Sequence, residues 1–253
     1  MQAAGTYTAY LHRETLRVVA PYLVLGTLAV IWAILIAFKR FPIFISAREH
    51  SAETASNWRV LLRERHFLFA LLAQFMYVGA QVGTWSYFIQ YAQEYAHTPE
   101  RTAGLLLACT LAAFGVGRFS SAFLMQRFLP SRLMTVFAGC NIVLLLTGIL
   151  LPGWGGLLAV LTTSFFMSIM FPTIFALGLK DLGPNTNIAG SLLVMTIVGG
   201  AILTPLMGLI AEHLHSTAAA YQIPLYGYVA VAGFSLYMTR YTRQRSTLST
   251  FEV

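Results

Sequence analysis

Charge is what this sequence has least of. Only 10% of its 253 residues are Asp, Glu, Lys or Arg, whereas a water-soluble domain needs about a quarter of its residues charged to cover its surface. Apolar residues make up 57% of the chain and the mean hydropathy is +0.69. A soluble globule is therefore excluded, and an all-α polytopic membrane protein is expected. Cysteine is scarce too. Cys109 and Cys140 both lie inside apolar runs, which excludes a disulfide framework and any Cys-based zinc site. Residues 1–17 have no apolar core and no small-residue cleavage site, so no signal peptide is expected there.

Titratable groups are missing from the middle of every apolar stretch. The acids Glu14, Glu49, Glu53, Glu64, Glu94, Glu100, Asp181, Glu212 and Glu252 all fall at stretch ends or in connections, as do all six histidines. Lys39 and Lys180 are the only lysines, again at ends. A retinal protein needs a mid-membrane lysine, and an intramembrane hydrolase needs a nucleophile with a base. Neither is available, so no enzyme, cofactor or metal site is expected.

Seven stretches are long and apolar enough to cross a bilayer, for which about 20 helical residues suffice: 18–38, 67–92, 102–126, 133–151, 155–179, 187–211 and 222–239. The runs are continuously apolar rather than alternating, and lipid offers no partner to open backbone groups, so helices are the expected spanning form. Short connections carry Pro99, Pro130, Pro152-Gly153 and Gly183-Pro184-Asn185. The one long polar connection, 39–66, holds Lys39, Arg40, Arg48, Arg59, Arg63 and Arg65. With Arg127, Arg132, Lys180, Arg240, Arg243 and Arg245, one face of the membrane receives twelve of the sixteen Lys and Arg residues, against Arg13, Arg17 and Arg101 on the other. Basic residues favour the cytoplasmic side, so the C-terminus is expected in the cytoplasm and residues 1–17 outside. The net charge of +7 is thus read as a topology signal, and no nucleic-acid partner is expected.

Polar side chains within the spans are the candidates for function. In the second stretch Gln74, Tyr77, Gln81, Trp85 and Phe88 recur at three- and four-residue steps and share a helical face. Two amides on one face are costly in hydrocarbon unless they meet a partner or line a wet cavity. Amides beside an indole suit a neutral polyhydroxylated ligand, whose hydroxyls they bond while the ring packs on its C–H face. Interhelical hydrogen bonding is the competing reading for Gln81 and Trp85, and the favoured one for Gln74 and Gln90. The fifth stretch carries Ser164 and Ser168 one turn apart, then Phe171-Pro172, where the proline should kink the helix. In the sixth, Thr196, Gly200, Thr204 and Gly208 form a small-residue ridge suited to close helix packing, with Pro205 beside it. Asn141 is expected to bond a neighbouring helix. Arg118 is expected to snorkel toward the cytoplasmic interface or to bond loop carbonyls at a gate.

The strings YVGAQVGTWSYFIQYA (77–92), GRFSSAFLMQRF (117–128), FMSIMFPTIFALGLKDLG (166–183) and MTIVGGAILTPLMG (195–208) resemble the fucose–galactose–glucose:proton symporter family of the major facilitator superfamily, in order over roughly 18–240. The resemblance implies that the first stretch matches helix six of a twelve-helix transporter and that residues 67–239 form its C-terminal six-helix half. Such halves pack around a site held between them. It further implies a monosaccharide substrate, L-fucose or a related hexose, and an inner-membrane location. Residues 39–66 become the cytoplasmic linker and 240–253 a cytoplasmic tail. The substrate would meet Tyr77, Gln81, Trp85, Ser168 and Phe171. Arg118, Arg127, Pro172, Gly200, Pro205 and Gly208 would serve gating and packing, with the gate near Arg118 and Lys180-Asp181. Two positions depart from the family pattern: Gln126-Arg127 replaces an Asp-Arg pair, and Phe171 stands where a tyrosine is expected. The family's proton-coupling carboxylates belong to an N-terminal half, so this chain is expected to be the C-terminal portion, from a truncated reading frame or a split gene. The alternative is a seven-helix receptor or sugar sensor without transport.

The charge asymmetry sets a topology test. A reporter fused after Val253 should be active only as a cytoplasmic fusion, and one inserted at 93–101 should behave oppositely. Both reporting the same side would show the span count to be wrong by one.

Overall fold

A run of apolar residues longer than a bilayer needs no tertiary partner to become helical in lipid, because each backbone amide bonds within its own segment. All regular structure in the computed structural model, which describes residues 4–38, 61 and 63–249, is helical. Most of the expected linker, 39–60 and Leu62, lies outside the described residues. The chain divides into two units, residues 1–51 and 52–253. The first contains α1 (Ala4–Phe38). Its segment Pro21–Phe38 is long and apolar enough to cross a membrane, and Leu23, Ile31, Trp32 and Phe38 are all exposed. Helix α1 begins at Ala4, so the polar residues before the expected span continue the same helix.

The second unit is a helical bundle. Its elements are α2 (Arg65–Ser86), α3 (Phe88–Ala96), α4 (Glu100–Leu124), α5 (Pro130–Leu150), α6 (Trp154–Met167), α7 (Met170–Gly178), α8 (Thr186–Met195), α9 (Val198–Leu214), α10 (Thr217–Ala220) and α11 (Gln222–Ser249). Six segments of the described chain meet the length and apolarity needed for crossing. The seventh expected span lies within α11, which is long enough at 28 residues but is interrupted by polar side chains such as Ser235 and Thr239. Helix α2 is central: α11, α9 and α7 pack on it, while α5 joins α11 to α6 and α6 joins α4. Tyr77, Met167 and Tyr228 are fully buried at this centre.

Three spans are broken, each for a local reason. Pro172 has no amide hydrogen to give the Ser168 carbonyl, and the helix stops at Met167 and restarts at Met170. Between α8 and α9 the chain tightens into bonds from each amide to the third residue back, including Thr196 N–H to the Leu193 carbonyl at 3.2 Å and Gly200 N–H to the Ile197 carbonyl at 3.0 Å. The Thr196 hydroxyl also bonds the Leu193 carbonyl, at 2.6 Å, a local bond that competes with the helical pattern. Tyr87 separates α2 from α3 with φ −99° and ψ 3°.

Close approach of α9 to α2 depends on missing side chains. A Cβ on Gly199 would strike the Phe75 carbonyl, one on Gly79 would strike Leu203, one on Gly83 would strike Met207 and one on Gly208 would strike the Tyr87 hydroxyl. The contact stripe therefore runs Gly199, Leu203, Met207, Gly208, beside rather than along the whole expected ridge. Gly200 lies against Val82 at its edge, and the Thr204 hydroxyl is buried without a partner.

Beyond Tyr87, α3 fastens to the turn before α11. Both carboxylate oxygens of Glu94 accept from the Thr217 amide, at 3.2 and 3.4 Å. The Tyr95 hydroxyl lies 2.8 Å from Ser216 Oγ, which caps α10 by accepting from the Ala219 amide. Burial alone would raise the Glu94 pKa, but hydrogen bonds from Thr217 and Tyr95 outweigh it and hold the carboxyl below its ordinary range. A depressed carboxyl stabilises the fold above its unfolded pKa and loses that contribution as pH falls through the folded value. Stability should thus decline as pH drops below about 4, and Glu94→Gln should flatten part of that decline in melting curves recorded at several pH values.

Packing at the α2–α9 seam makes a second prediction. Gly199→Val forces atoms into the Phe75 backbone, and overpacking of this kind costs about 1–3 kcal/mol. Thermal unfolding in detergent should show a clear fall in Tm. Gly139→Ala, where a Cβ meets nothing within 4 Å, should leave Tm unchanged or raise it.

Candidate functional site

The residues expected to meet a ligand divide into those that remain accessible and those that the fold uses for itself. Tyr77 is fully buried, and its hydroxyl donates to the Met167 carbonyl at 2.8 Å. That carbonyl belongs to the last residue of α6, where the break leaves acceptors without helical partners. Tyr77 therefore closes the end of α6. Its ring meets Phe171 edge-on at 6.4 Å, and Phe171 stacks on Phe175 at 6.4 Å. Tyr228, reaching from α11, donates to the Met167 sulfur at 3.4 Å. Ser168 is likewise fully buried, and its hydroxyl turns back to the Phe165 carbonyl at 2.7 Å. Gly117 brings α4 against this point, because a Cβ there would collide with the Phe165 carbonyl and crowd Ser168 Oγ at 2.7 Å.

Gln81, Trp85 and Phe171 are half-buried. Gln81 makes no hydrogen bond among the described residues, so its amide keeps both donor and acceptor capacity. Trp85 is held from two sides. Its indole N–H donates to Ser164 Oγ at 3.1 Å, and its ring meets Phe114 edge-on at 5.2 Å and 86°. The Arg118 guanidinium lies over the other ring of that pair, 6.0 Å from the Phe114 centroid, and its side chain is exposed. Gln81, Trp85, Phe114 and Arg118 thus give a patch with one neutral amide, two aromatic rings and one cation. Such a surface can bond hydroxyls and pack against an apolar sugar face.

Phe114 and Ser164 were not among the residues expected to form the site. Phe114 stands four residues before Arg118 on one face of α4, a signal visible only once the Arg is read as facing the patch. Ser164 was legible as a polar residue in an apolar run, but nothing in the spacing paired it with Trp85. The remaining positions act elsewhere. Arg127 lies 5.2 Å over Phe123. Pro172 breaks its span, and Gly200 and Gly208 belong to the α2–α9 seam. Pro205 lies inside α9 and is exposed. Asn141, expected to bond a neighbouring helix, is buried with both amide atoms unpartnered, as is Gln74.

At the opposite end of α2 from Tyr87, His66 Nε2 lies 3.1 Å from the Lys180 carbonyl, and its ring stacks on Tyr241 at 5.7 Å. This joins α2, the turn after α7 and α11 around the Lys180-Asp181 corner, where Asp181 adopts φ +63°. A separate cleft of about 630 Å³ opens between α3 and α9, lined by Tyr87, Gln90, Gln93, Glu94 and Glu212 among others.

Comparison with known proteins bears on this architecture. The chain is 37% identical over 239 residues to the L-fucose-proton symporter of Escherichia coli, a match covering 92% of this chain and 54% of that protein. It is 31% identical to a putative glucose/galactose transporter of Helicobacter pylori, over 85% of this chain and 53% of the relative. The crystal structure of a variant of the Escherichia coli fucose:proton symporter superposes with a TM-score of 0.79 at 34% identity, covering 94% of this chain and 59% of that one. A second structure, of that transporter in its outward conformation, gives 0.77 at 33% identity. The chain spans about half the length of these curated relatives. The Major Facilitator Superfamily profile matches residues 4–202, well over half of the chain, and the chain belongs to that superfamily.

Proposed function

We propose that this chain is the C-terminal portion of a monosaccharide:proton symporter and supplies one wall of its sugar cavity. The observation that carries the reading is the unbonded Gln81 amide, one turn from a Trp85 ring held at a fixed angle. The amide can read hydroxyls, while the ring covers a C–H face. The names borne by the relatives, an L-fucose-proton symporter and a glucose/galactose transporter, point to the same substrate class.

Alternating access in this superfamily uses two bundles that rock about a site between them. Coupling needs a group whose protonation changes within the membrane. No Asp, Glu, His or Lys lies at mid-span in this chain. The coupling proton is therefore assigned to an N-terminal half that this chain does not contain. Arg118 and the Lys180-Asp181 corner would then border the cytoplasmic gate, and the C-terminus would face the cytoplasm.

Reconstituted in vesicles, the 253-residue chain should bind labelled fucose without accumulating it, with or without an imposed pH gradient. Gln81→Ala and Trp85→Ala should each weaken binding, by about five- to a hundred-and-fifty-fold if one buried contact of roughly 1–3 kcal/mol is lost. Proton-driven accumulation by the chain alone would sink the half-transporter reading. Unchanged binding in both variants would reassign the Gln81–Trp85 face to helix packing.

A further inference from the structure

We infer that Ser164, with Phe114, is a positioning and specificity-determining residue that fixes the plane of the Trp85 indole, so that the wall reads sugar configuration through ring orientation and hydroxyls through Gln81. This rests on the sugar-cavity reading above and assigns the roles within it. An indole has a single polar atom, the Nε1–H, which donates and cannot accept. In this structure that donor is engaged by Ser164 Oγ at 3.1 Å, and Ser164 is fully buried. Trp85 therefore has no donor left for a ligand and can act only through its ring. Gln81, by contrast, has no bond of its own among the described residues, and its amide offers two donors and an acceptor.

The hold on the indole has two anchors on two helices. Ser164, on α6, fixes the N–H edge. Phe114, on α4, meets the ring at 86° with a centroid separation of 5.2 Å, within the favoured edge-to-face range. A hydrogen bond and an edge contact set at different angles leave little freedom about χ2, so the plane of the ring is set before any ligand arrives. Phe114 is itself backed by the Arg118 guanidinium at 6.0 Å, close enough for a cation–π attraction. Ser164 sits four residues before Ser168, whose hydroxyl bonds its own helix instead. The two serines of the fifth span thus do different work.

A fixed ring plane discriminates between sugars. A galacto-configured pyranose, with its axial 4-hydroxyl, presents a continuous C–H face on one side. A gluco-configured pyranose has that hydroxyl equatorial and presents no such one-sided patch. A ring locked at one angle favours the first, and a ring free to turn adapts to either.

The test uses the full chain in nanodiscs with Trp32, Trp58 and Trp154 replaced by Phe, leaving Trp85 as the only tryptophan, excited selectively at the red edge where tyrosine does not absorb. Without sugar, Ser164→Ala and Phe114→Leu should each lower the steady-state anisotropy of Trp85. Thr163→Val, which removes a buried hydroxyl of the same helix bonded only to the Val160 carbonyl, should not. With sugar, the preference for galactose over glucose, read from fluorescence titration, should fall roughly three- to tenfold in Ser164→Ala, the size of one net hydrogen bond. It should hold in Thr163→Val. Unchanged anisotropy in both Ser164→Ala and Phe114→Leu overturns the inference, and so does an unchanged sugar preference in Ser164→Ala. Binding of labelled fucose left unchanged by both Gln81→Ala and Trp85→Ala overturns the cavity reading itself, a result separate from either of those.

Discussion

Pro172 cannot donate to the carbonyl four residues before it, and the consequences of that missing hydrogen bond organise the middle of the bundle. The fifth span divides into α6 and α7, and the carbonyls at the end of α6 must find partners other than helical amides. Tyr77 from α2 supplies one at Met167, and the Ser168 hydroxyl supplies another at Phe165. Tyr228 from α11 adds a contact to the Met167 side chain. Three helices are thereby tied to one break, with Phe171 just after it on α7 and Ser164, which Trp85 reaches from α2, before it on α6. In lipid, where association gains nothing from burying apolar area against more hydrocarbon, such polar ties and close packing must hold the helices together.

Much of the fold was legible because it follows from periods and breakers. The apolar runs placed the spans, and Pro172 placed a break within a few residues of where it occurs. Glycines in the sixth span marked a close seam, although the facing positions on α2, Gly79 and Gly83, had to be read with them to locate its line. Other features needed three dimensions. The stop at Thr196-Ile197 has no proline to announce it, and the Gly199-Gly200 pair after it reads from spacing as packing, whereas a threonine hydroxyl and a run of tighter turns make the break. The docking of Glu94 onto the Thr217 amide joins residues far apart in the chain, and no spacing rule reports it.

For the candidate site, residue chemistry was legible and residue role was not. Tyr77, Gln81, Trp85, Ser168 and Phe171 were grouped because each places a polar or aromatic group in an apolar helix. The structure sorts them by what their polar atoms already touch. Tyr77 and Ser168 bond backbone carbonyls that the helix break would otherwise leave open, so their hydroxyls are committed to the fold. Trp85 commits its N–H to Ser164. Gln74 is of the same residue type and on the same helix as Gln81, yet it is fully buried while Gln81 is half-buried. Sequence spacing places both on one face, and only the packing of neighbouring helices against α2 separates the enclosed amide from the half-buried one.

That sorting gives a physical rule for where a ligand can act in a wall built this way. Every polar group within a span carries a desolvation cost unless it is bonded, so most groups are consumed by the bundle's own backbone and by one another. A group that remains unbonded either bears that cost inside the bundle, as Gln74 and Asn141 do, or sits half-buried where water or a ligand can reach it. On the proposed reading Gln81 is of the second kind, with an aromatic ring beside it that is held from two sides. Affinity for a polyhydroxylated ligand would then come from few groups and with little ordering cost, because the ring would not have to be immobilised on binding. Preorganisation of the wall by Ser164 and Phe114 would then be as much a part of recognition as the groups that touch the sugar.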